Sequence, residues 1–151
     1  MEIKDVLIDD FSNPDFKIMF KHYFAELGIK VTEWDKLFNL MNEEKRNFAY
    51  IRYQSDIPIG FIQFTVIKFS SGFFESEMGF IREFWVDNAY REKGNGSELL
   101  RLTEDYFIGN GVYKSILTTN TAERFYIRHG YTKDDCITAK NNIAVFVKIL
   151  R

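Results

Sequence analysis

A glycine-bearing turn between a predicted strand and a predicted helix constrains this chain more than any other stretch. A β-rich run at 81–86 leads into a polar turn that contains Arg91-x-x-Gly94-x-Gly96, and a helical pattern follows at once. Glycine lets the backbone approach a ligand closely because it carries no Cβ. A helix start presents free N–H groups and a dipole that favours anions. The turn is therefore predicted to cradle a phosphate group.

Two common phosphate-binding motifs do not fit this turn. A dinucleotide fingerprint would need a third glycine where Leu99 stands, and a P-loop would need a lysine where Ser97 stands. A turn that binds no ligand is the ordinary alternative. The order Val86, Arg91-x-x-Gly94-x-Gly96, Leu99-Leu100 instead closely resembles the pyrophosphate loop of the GNAT superfamily, which are acetyl-CoA-dependent N-acetyltransferases.

The composition favours one domain over residues 1–151 and a reducing compartment. A net charge of −2 argues against non-specific nucleic-acid binding, which needs a basic face, and suits a cationic small substrate. The single Cys136 excludes an internal disulfide. The first residues lack the apolar core of a signal peptide, and no apolar run approaches the roughly 20 residues of a membrane span. We expect a cytoplasmic protein with no membrane or nucleic-acid partner, and a homodimer is left open.

Hydrophobic periodicity predicts the element order β-α-α-β-β-β-α-β-α-β-β. Strands are predicted at 2–8, 47–54, 59–69, 79–86, 115–119, 131–138 and 143–150. Helices are predicted at 14–27, after an Asn13 cap and before Gly28; at 34–41, capped by Thr32; at 96–107; and at 122–129, capped by Thr121.

A second stretch, at 118–131, resembles the second signature of the GNAT superfamily. The spacing matches at Ala122, Phe125-Tyr126 and Gly130-Tyr131. The asparagine of that signature does not match, because its position falls on Thr119 and Asn120 stands one residue later. Either Thr119 or Asn120 is therefore the candidate donor to the pantetheine arm of acetyl-CoA.

The resemblance covers nearly the whole chain and implies the GNAT fold. That fold is an α/β (α+β) arrangement with a mixed central sheet of about seven strands and helices on both faces. It implies that the strands at 79–86 and 115–120 splay apart and that acetyl-CoA, as co-substrate, lies between them. The cofactor-binding residues implied are Val86, Arg91, Glu92, Lys93, Gly94, Asn95, Gly96, Ser97, Thr119 and Asn120.

Acetyl transfer from a thioester to an amine sets three chemical demands. The amine, with a pKa of about 10.4 when lysine-like, must lose a proton before it attacks. The developing oxyanion needs a fixed N–H donor, and the leaving thiolate is helped by an acid. The resemblance assigns the oxyanion or thioester donor to the Val86 N–H and the acid to Tyr126. Simple packing beside Phe125 is the alternative for Tyr126.

Glu83 is the first candidate for the proton acceptor. It stands on the strand that feeds the glycine turn, at a position that is acidic in many amine-acetylating relatives. The alternative is a structural strand glutamate, solvated or paired with Arg82 or Arg91. Glu75 and Glu77 are weaker candidates, which we expect in the loop before that strand.

No metal site is predicted. His22 and His129 are far apart in sequence, and no cysteine or carboxylate cluster has ligand spacing. Arg124 and Arg128 are interpreted as a solvated helix face, with contact to the 3′-phosphate of coenzyme A as the alternative.

Together, these expectations predict an N-acetyltransferase that moves an acetyl group from acetyl-CoA to a primary amine of a small molecule. The amine would attack directly within a ternary complex. Two alternatives stay open: the acceptor is a protein lysine or N-terminus, or the chain is a GNAT-fold module that binds acyl-CoA without transfer. The presence of Tyr126 and of the complete glycine turn argues against the second.

Overall fold

The computed structural model describes residues 2–44 and 46–151, which form a seven-stranded mixed sheet with helices on both faces. The strands are β1 (Ile3–Ile8), β2 (Asn47–Gln54), β3 (Ile57–Ser70), β4 (Glu75–Val86), β5 (Lys114–Thr118), β6 (Thr132–Lys133) and β7 (Val145–Ile149). The helices are α1 (Pro14–Leu27), α2 (Trp34–Glu43), α3 (Asn95–Gly109) and α4 (Glu123–Arg128), with a 3-10 turn at Asn88–Tyr90. The predicted fold class and element order are confirmed. None of the helices in these ranges has the length and apolar character needed to span a bilayer.

The sheet, in the order β1-β2-β3-β4-β5-β7-β6, separates two hydrophobic cores. On one face, α1 and α2 bury Phe16, Phe20 and Phe38 against the sheet. On the other face, α3 and α4 bury Leu99 and Tyr126. The aromatic stripe of α1, which consists of Phe16, Met19, Phe20, Tyr23 and Phe24, packs into the first of these cores, and its helical spacing explains why the helix could be predicted.

The parallel strands β4 and β5 pair only at Gly79–Ser115 and Phe80–Ile116. Beyond these pairs the two strands diverge, as predicted, and open a cleft toward their carboxyl ends. Gly79 stands where they part, and a Cβ there would lie 2.4 Å from the Phe107 ring of α3. The absence of a side chain at this position lets α3 pack closely against the start of the cleft.

A β-bulge in β4 decides which way the side chains near the cleft point. Gln63 pairs with Glu83 and Phe64 pairs with Ile81, so Arg82 is an extra residue with no partner on β3. Ile81 packs on the α3 side, whereas Trp85 packs on the α1 and α2 side. A regular strand would place both on one face. The bulge therefore turns Glu83 toward α1 and α2.

Several strand boundaries differ from the predicted ones. Two residues with positive φ, Ser55 at 49° and Asp56 at 67°, form the hairpin turn, so β3 begins two residues earlier than predicted. β4 begins at Glu75, so Glu75 and Glu77 are strand residues and their predicted placement in a loop is wrong. β6 is much shorter than predicted, because Asp134 Oδ1 accepts the Cys136 N–H in a local turn.

Two predicted helix caps are also wrong. α2 follows Glu33, whose side chain makes no capping bond, so Thr32 is not the cap. At α4 the Thr119 Oγ1 accepts the N–H groups of Ala122 at 3.1 Å and Thr121 at 3.4 Å, in place of a cap by Thr121. The Asn13 cap of α1 is confirmed, since its Oδ1 accepts two N–H groups at 3.0 Å.

Candidate active site

The glycine turn presents backbone donors at the start of α3. Gly94 is the residue before this helix and has a φ of 87°, a conformation that favours glycine. No side chain caps the first N–H groups of α3, so they stay available to an anion. A Cβ on Gly96 would approach the Phe125 ring only to 3.5 Å, which is ordinary contact. Packing alone therefore does not require a glycine at 96.

A cavity of about 440 Å³ lies over this turn, beside the end of β4 and the start of α4. Of the predicted cofactor-binding residues, it is lined by Val86, Arg91, Glu92, Gly94, Gly96 and Ser97. Lys93 and Asn95 stand outside this lining: Lys93 Nζ donates to the Ala89 carbonyl at 3.3 Å, and Asn95 Nδ2 to the Tyr90 carbonyl at 2.9 Å. These two side chains hold the shape of the turn.

The Arg91 guanidinium ties the turn to the rest of the site. Its Nε donates to the Val86 carbonyl and its Nη2 to the Glu26 carboxylate, each at 2.7 Å. Glu26, on α1, also accepts the Trp85 Nε1–H at 3.0 Å. Sequence reasoning missed Glu26, which connects the last turn of α1 to the glycine turn.

The backbone of Val86 faces the cleft. The next residue, Asp87, donates its N–H to the Ile59 carbonyl at 2.8 Å. Because paired groups alternate along an antiparallel ladder, the N–H and C=O of Val86 point away from β3. The bond from Arg91 to the Val86 carbonyl agrees with this direction. The Val86 N–H is thus oriented as a donor into the opening between β4 and β5.

His129 joins the start of α3 to the end of α4. Its Nδ1 lies 2.7 Å from the Phe125 carbonyl and its Nε2 lies 2.9 Å from Ser97 Oγ. A carbonyl only accepts, so Nδ1 carries a proton and donates to Phe125, while the Ser97 hydroxyl, which can donate or accept, is the partner of Nε2.

A second cavity, of about 300 Å³, occupies the opening between β4 and β5. Tyr126, Phe84 and Ala122 line both cavities, so Tyr126 stands where they meet. Burial, and then the nearby Glu83 carboxylate, raise the pKa of Tyr126 above its usual value, which keeps the phenol protonated. No hydrogen-bond partner for its hydroxyl occurs within 2–44 and 46–151.

Glu83 lines the second cavity and accepts a hydrogen bond from the Tyr23 hydroxyl at 2.7 Å. Burial raises the pKa of Glu83, while the bond from Tyr23 and the charge of Arg82 oppose that rise. Burial and the carboxylate of Glu83 also raise the pKa of Tyr23. Sequence reasoning missed Tyr23, because its place in the aromatic stripe of α1 indicated a core residue.

The remaining candidates lie around these two cavities. Thr119 and Asn120 line the second one, and the Thr119 hydroxyl oxygen accepts the two capping bonds. Arg128 lines the first cavity, and Arg124 lines a neighbouring one together with Arg91. Glu77 pairs with Arg46 at 3.3 Å and lines neither. The described residues contain no cluster of three or more histidine, cysteine or acidic side chains that could hold a metal ion.

Comparison with known proteins shows the family to which the chain belongs. The model of the acetyltransferase (GNAT) family matches residues 4–131, most of the chain. No curated protein sequence matches the chain.

Solved structures with the same fold include three acetyltransferases. The first is the PaiA N-acetyltransferase of Thermoplasma acidophilum in complex with coenzyme A (TM-score 0.68, 16% identity, 99% of each chain covered). The second is Arabidopsis thaliana NAA60 in complex with a bisubstrate analogue (TM-score 0.72, 14% identity, 99% of this chain and 100% of that one covered). The third is an aminoglycoside acetyltransferase from an uncultured soil metagenomic sample in complex with sisomicin (TM-score 0.67, 14% identity, 84% of each chain covered). At these identities the similarity shows a shared fold.

Proposed function

The chain belongs to the acetyltransferase (GNAT) family, and from this premise we propose that it transfers an acetyl group from acetyl-CoA to a primary amine of a small molecule. The observation that carries the proposal is the position of Tyr126 at the junction of two cavities. One of them offers backbone donors to a phosphate, and the other holds a buried carboxylate. A donor and an acceptor bound on either side would meet beside the Tyr126 hydroxyl.

The first cavity would hold the pyrophosphate part of coenzyme A. The uncapped N–H groups at the start of α3, with Gly94 and Gly96, would hold its pyrophosphate. The complex of the PaiA N-acetyltransferase with coenzyme A supports this choice of donor. Acetyl-CoA supplies the acetyl group as an activated thioester. The Val86 N–H would donate to the thioester oxygen as that oxygen gains negative charge.

Glu83 would accept the proton of the amine, directly or through a water molecule. Its burial makes the carboxylate a stronger base than an exposed glutamate, while the bond from Tyr23 favours the ionised form and orients the carboxylate. Tyr126, whose raised pKa keeps the phenol protonated, would donate its proton to the sulfur as the C–S bond breaks, and the proton released by the acetylated nitrogen would restore the phenol. The amine attacks the thioester directly, so no side chain of the enzyme becomes acetylated.

The test is a screen for release of the coenzyme A thiol, with mass spectrometry of the products and calorimetry of acetyl-CoA binding. Small primary amines and short peptides with free N-termini or lysines would be presented side by side. We expect acetylation of small amines. Acetylation of peptides alone would assign a protein acceptor, and acetyl-CoA binding without any acetylated product would indicate a binding module.

A further inference from the structure

The bulge in β4 brings two adjacent, oppositely charged side chains to the same face of the sheet. Arg82 Nη1 donates to the carboxylate of Glu44, which directly follows α2. Glu83 accepts from Tyr23 on α1. Both helices cover the same face, whereas neighbours in a regular strand point to opposite faces. The chain therefore uses an irregularity to present a cation beside a carboxylate.

Arg82 and Glu83 both line the cavity between β4 and β5. In the part of the chain that the structure describes, Glu83 is the one acidic residue of this lining and Arg82 the one cationic residue. Polyamines and aminoglycosides carry several ammonium groups, which several carboxylates would have to balance. A lining with one charge of each sign instead complements a ligand with one ammonium and one carboxylate.

The ion pair between Arg82 and Glu44 is accessible to water, so Arg82 can exchange Glu44 for another partner. The two side chains are 29% and 47% exposed, and ion pairs this accessible to water contribute little to stability. A guanidinium has five N–H donors in a planar fork that matches a carboxylate. A carboxylate on a bound ligand can therefore replace Glu44 or share the fork with it.

We propose that the acceptor is a small zwitterion of the amino-acid class, with its ammonium group on Glu83 and its carboxylate on Arg82. This inference rests on the proposed function and names the acceptor of the same site. The apolar residues Leu27, Leu117 and Ile143 in the lining suit an apolar side chain on that amino acid. A cavity of about 300 Å³ is at the small end for ligand pockets and matches a ligand of this size.

The experiment compares matched acceptors with the full chain and saturating acetyl-CoA. Leucine is set against leucinamide and isoamylamine, and phenylalanine against phenylalaninamide and phenethylamine. The amide carries a less basic amine than the amino acid and the alkylamine a more basic one, so these two controls bracket the effect of amine basicity. We expect kcat/KM for each amino acid to exceed that of both controls by about 10-fold or more.

Three variants test whether Arg82 causes the preference for amino acids. Each is assayed on the plateau of its profile of kcat/KM against pH, because Arg82 also influences the ionisation of Glu83. Arg82→Gln should lower kcat/KM much more for the amino acids than for the controls that lack a carboxylate, so that the preference is lost. Glu44→Gln should lower KM for the amino acids, because the competing carboxylate is gone. Arg46→Gln is the matched control, since Arg46 also pairs with a glutamate, Glu77, but lies outside the cavity. It should change kcat/KM for neither group of acceptors.

Equal kcat/KM for amino acids and their controls would overturn the inference and leave the proposed function standing. An equal loss for every acceptor in Arg82→Gln, with no gain in Glu44→Gln, would also overturn it, because Arg82 would then act on the fold or on Glu83 alone. Acetyl-CoA binding without acetylation of any amine, in this set or in the wider screen, would remove the proposed function as well.

Discussion

Replacing Tyr23 by phenylalanine isolates the hydrogen bond that Tyr23 donates to Glu83. The bond is 2.7 Å long, and phenylalanine keeps the ring that packs against Phe20, Phe24 and Phe61. Removing the hydroxyl withdraws a donor from the ionised form of the carboxyl group, so the pKa of Glu83 rises further. The base is then protonated over a wider range of pH.

A hydrogen bond to a charged group contributes about 1.5–3 kcal/mol, and about 1.4 kcal/mol corresponds to a factor of ten. On the acid limb of the profile, Tyr23→Phe should therefore lower kcat/KM for an amine by about 10- to 100-fold. The limb should move to higher pH. At a pH where Glu83 is ionised in both proteins, the two rates should converge. The measurement is kcat/KM against pH, with the acetyl-CoA Kd followed in parallel and expected to stay constant.

Tyr53→Phe is the matched control. Tyr53 donates to Asp15 on the same helix, also at 2.7 Å, but it lines neither cavity. Its loss should affect stability without moving the pH profile. If Tyr23→Phe retained the wild-type acid limb, the reasoning that links Tyr23 to the ionisation of Glu83 would be refuted.

Three further variants test other parts of the account. Gly96→Val should weaken acetyl-CoA binding at least 10-fold in calorimetry while the protein still melts cooperatively, and wild-type affinity in the folded variant would contradict the phosphate cradle. Gly79→Ala should cost about 1–3 kcal/mol in denaturant unfolding, because its Cβ would lie 2.4 Å from the Phe107 ring, and unchanged stability would contradict that packing. Glu83→Gln should leave acetyl-CoA affinity unchanged, cut kcat/KM for amines and remove the acid limb, whereas an unaltered profile would assign Glu83 a structural role.

The local parts of the fold could be predicted from the sequence. The Asn13 cap and the Gly28 stop of α1 depend on neighbouring residues alone, and so do the period-two pattern of β2 and the turn at Arg91-x-x-Gly94-x-Gly96. These features indicated the order of the elements, whereas the divergence of the two strands was implied by the resemblance to the GNAT superfamily. The predicted caps at Thr32 and Thr121 failed for different reasons: α2 begins after Glu33 without a side-chain capping bond, and at α4 the Thr119 hydroxyl accepts the N–H groups in place of Thr121.

The parts of the site that could not be predicted depend on contacts between distant residues. Tyr23 and Glu83 are 60 positions apart, and nothing in the spacing of the α1 stripe separates Tyr23 from its core neighbours. The extra residue Arg82 appears only in the register with β3, and it reverses the side-chain parity on which the placement of Glu83 depends. Glu26 likewise becomes visible only through its bond to Arg91.

The central claim is that acetyl transfer takes place beside the Tyr126 hydroxyl, and Tyr126→Phe tests it most directly. Tyr126 is only 6% exposed, and phenylalanine would keep the packing of its ring. Only the hydroxyl donor at the junction of the two cavities would be lost. With an amine from the screen, kcat should fall by on the order of 10²-fold while the Kd for acetyl-CoA stays unchanged. An unchanged kcat, with pre-steady-state kinetics showing that chemistry limits the rate, would contradict the account.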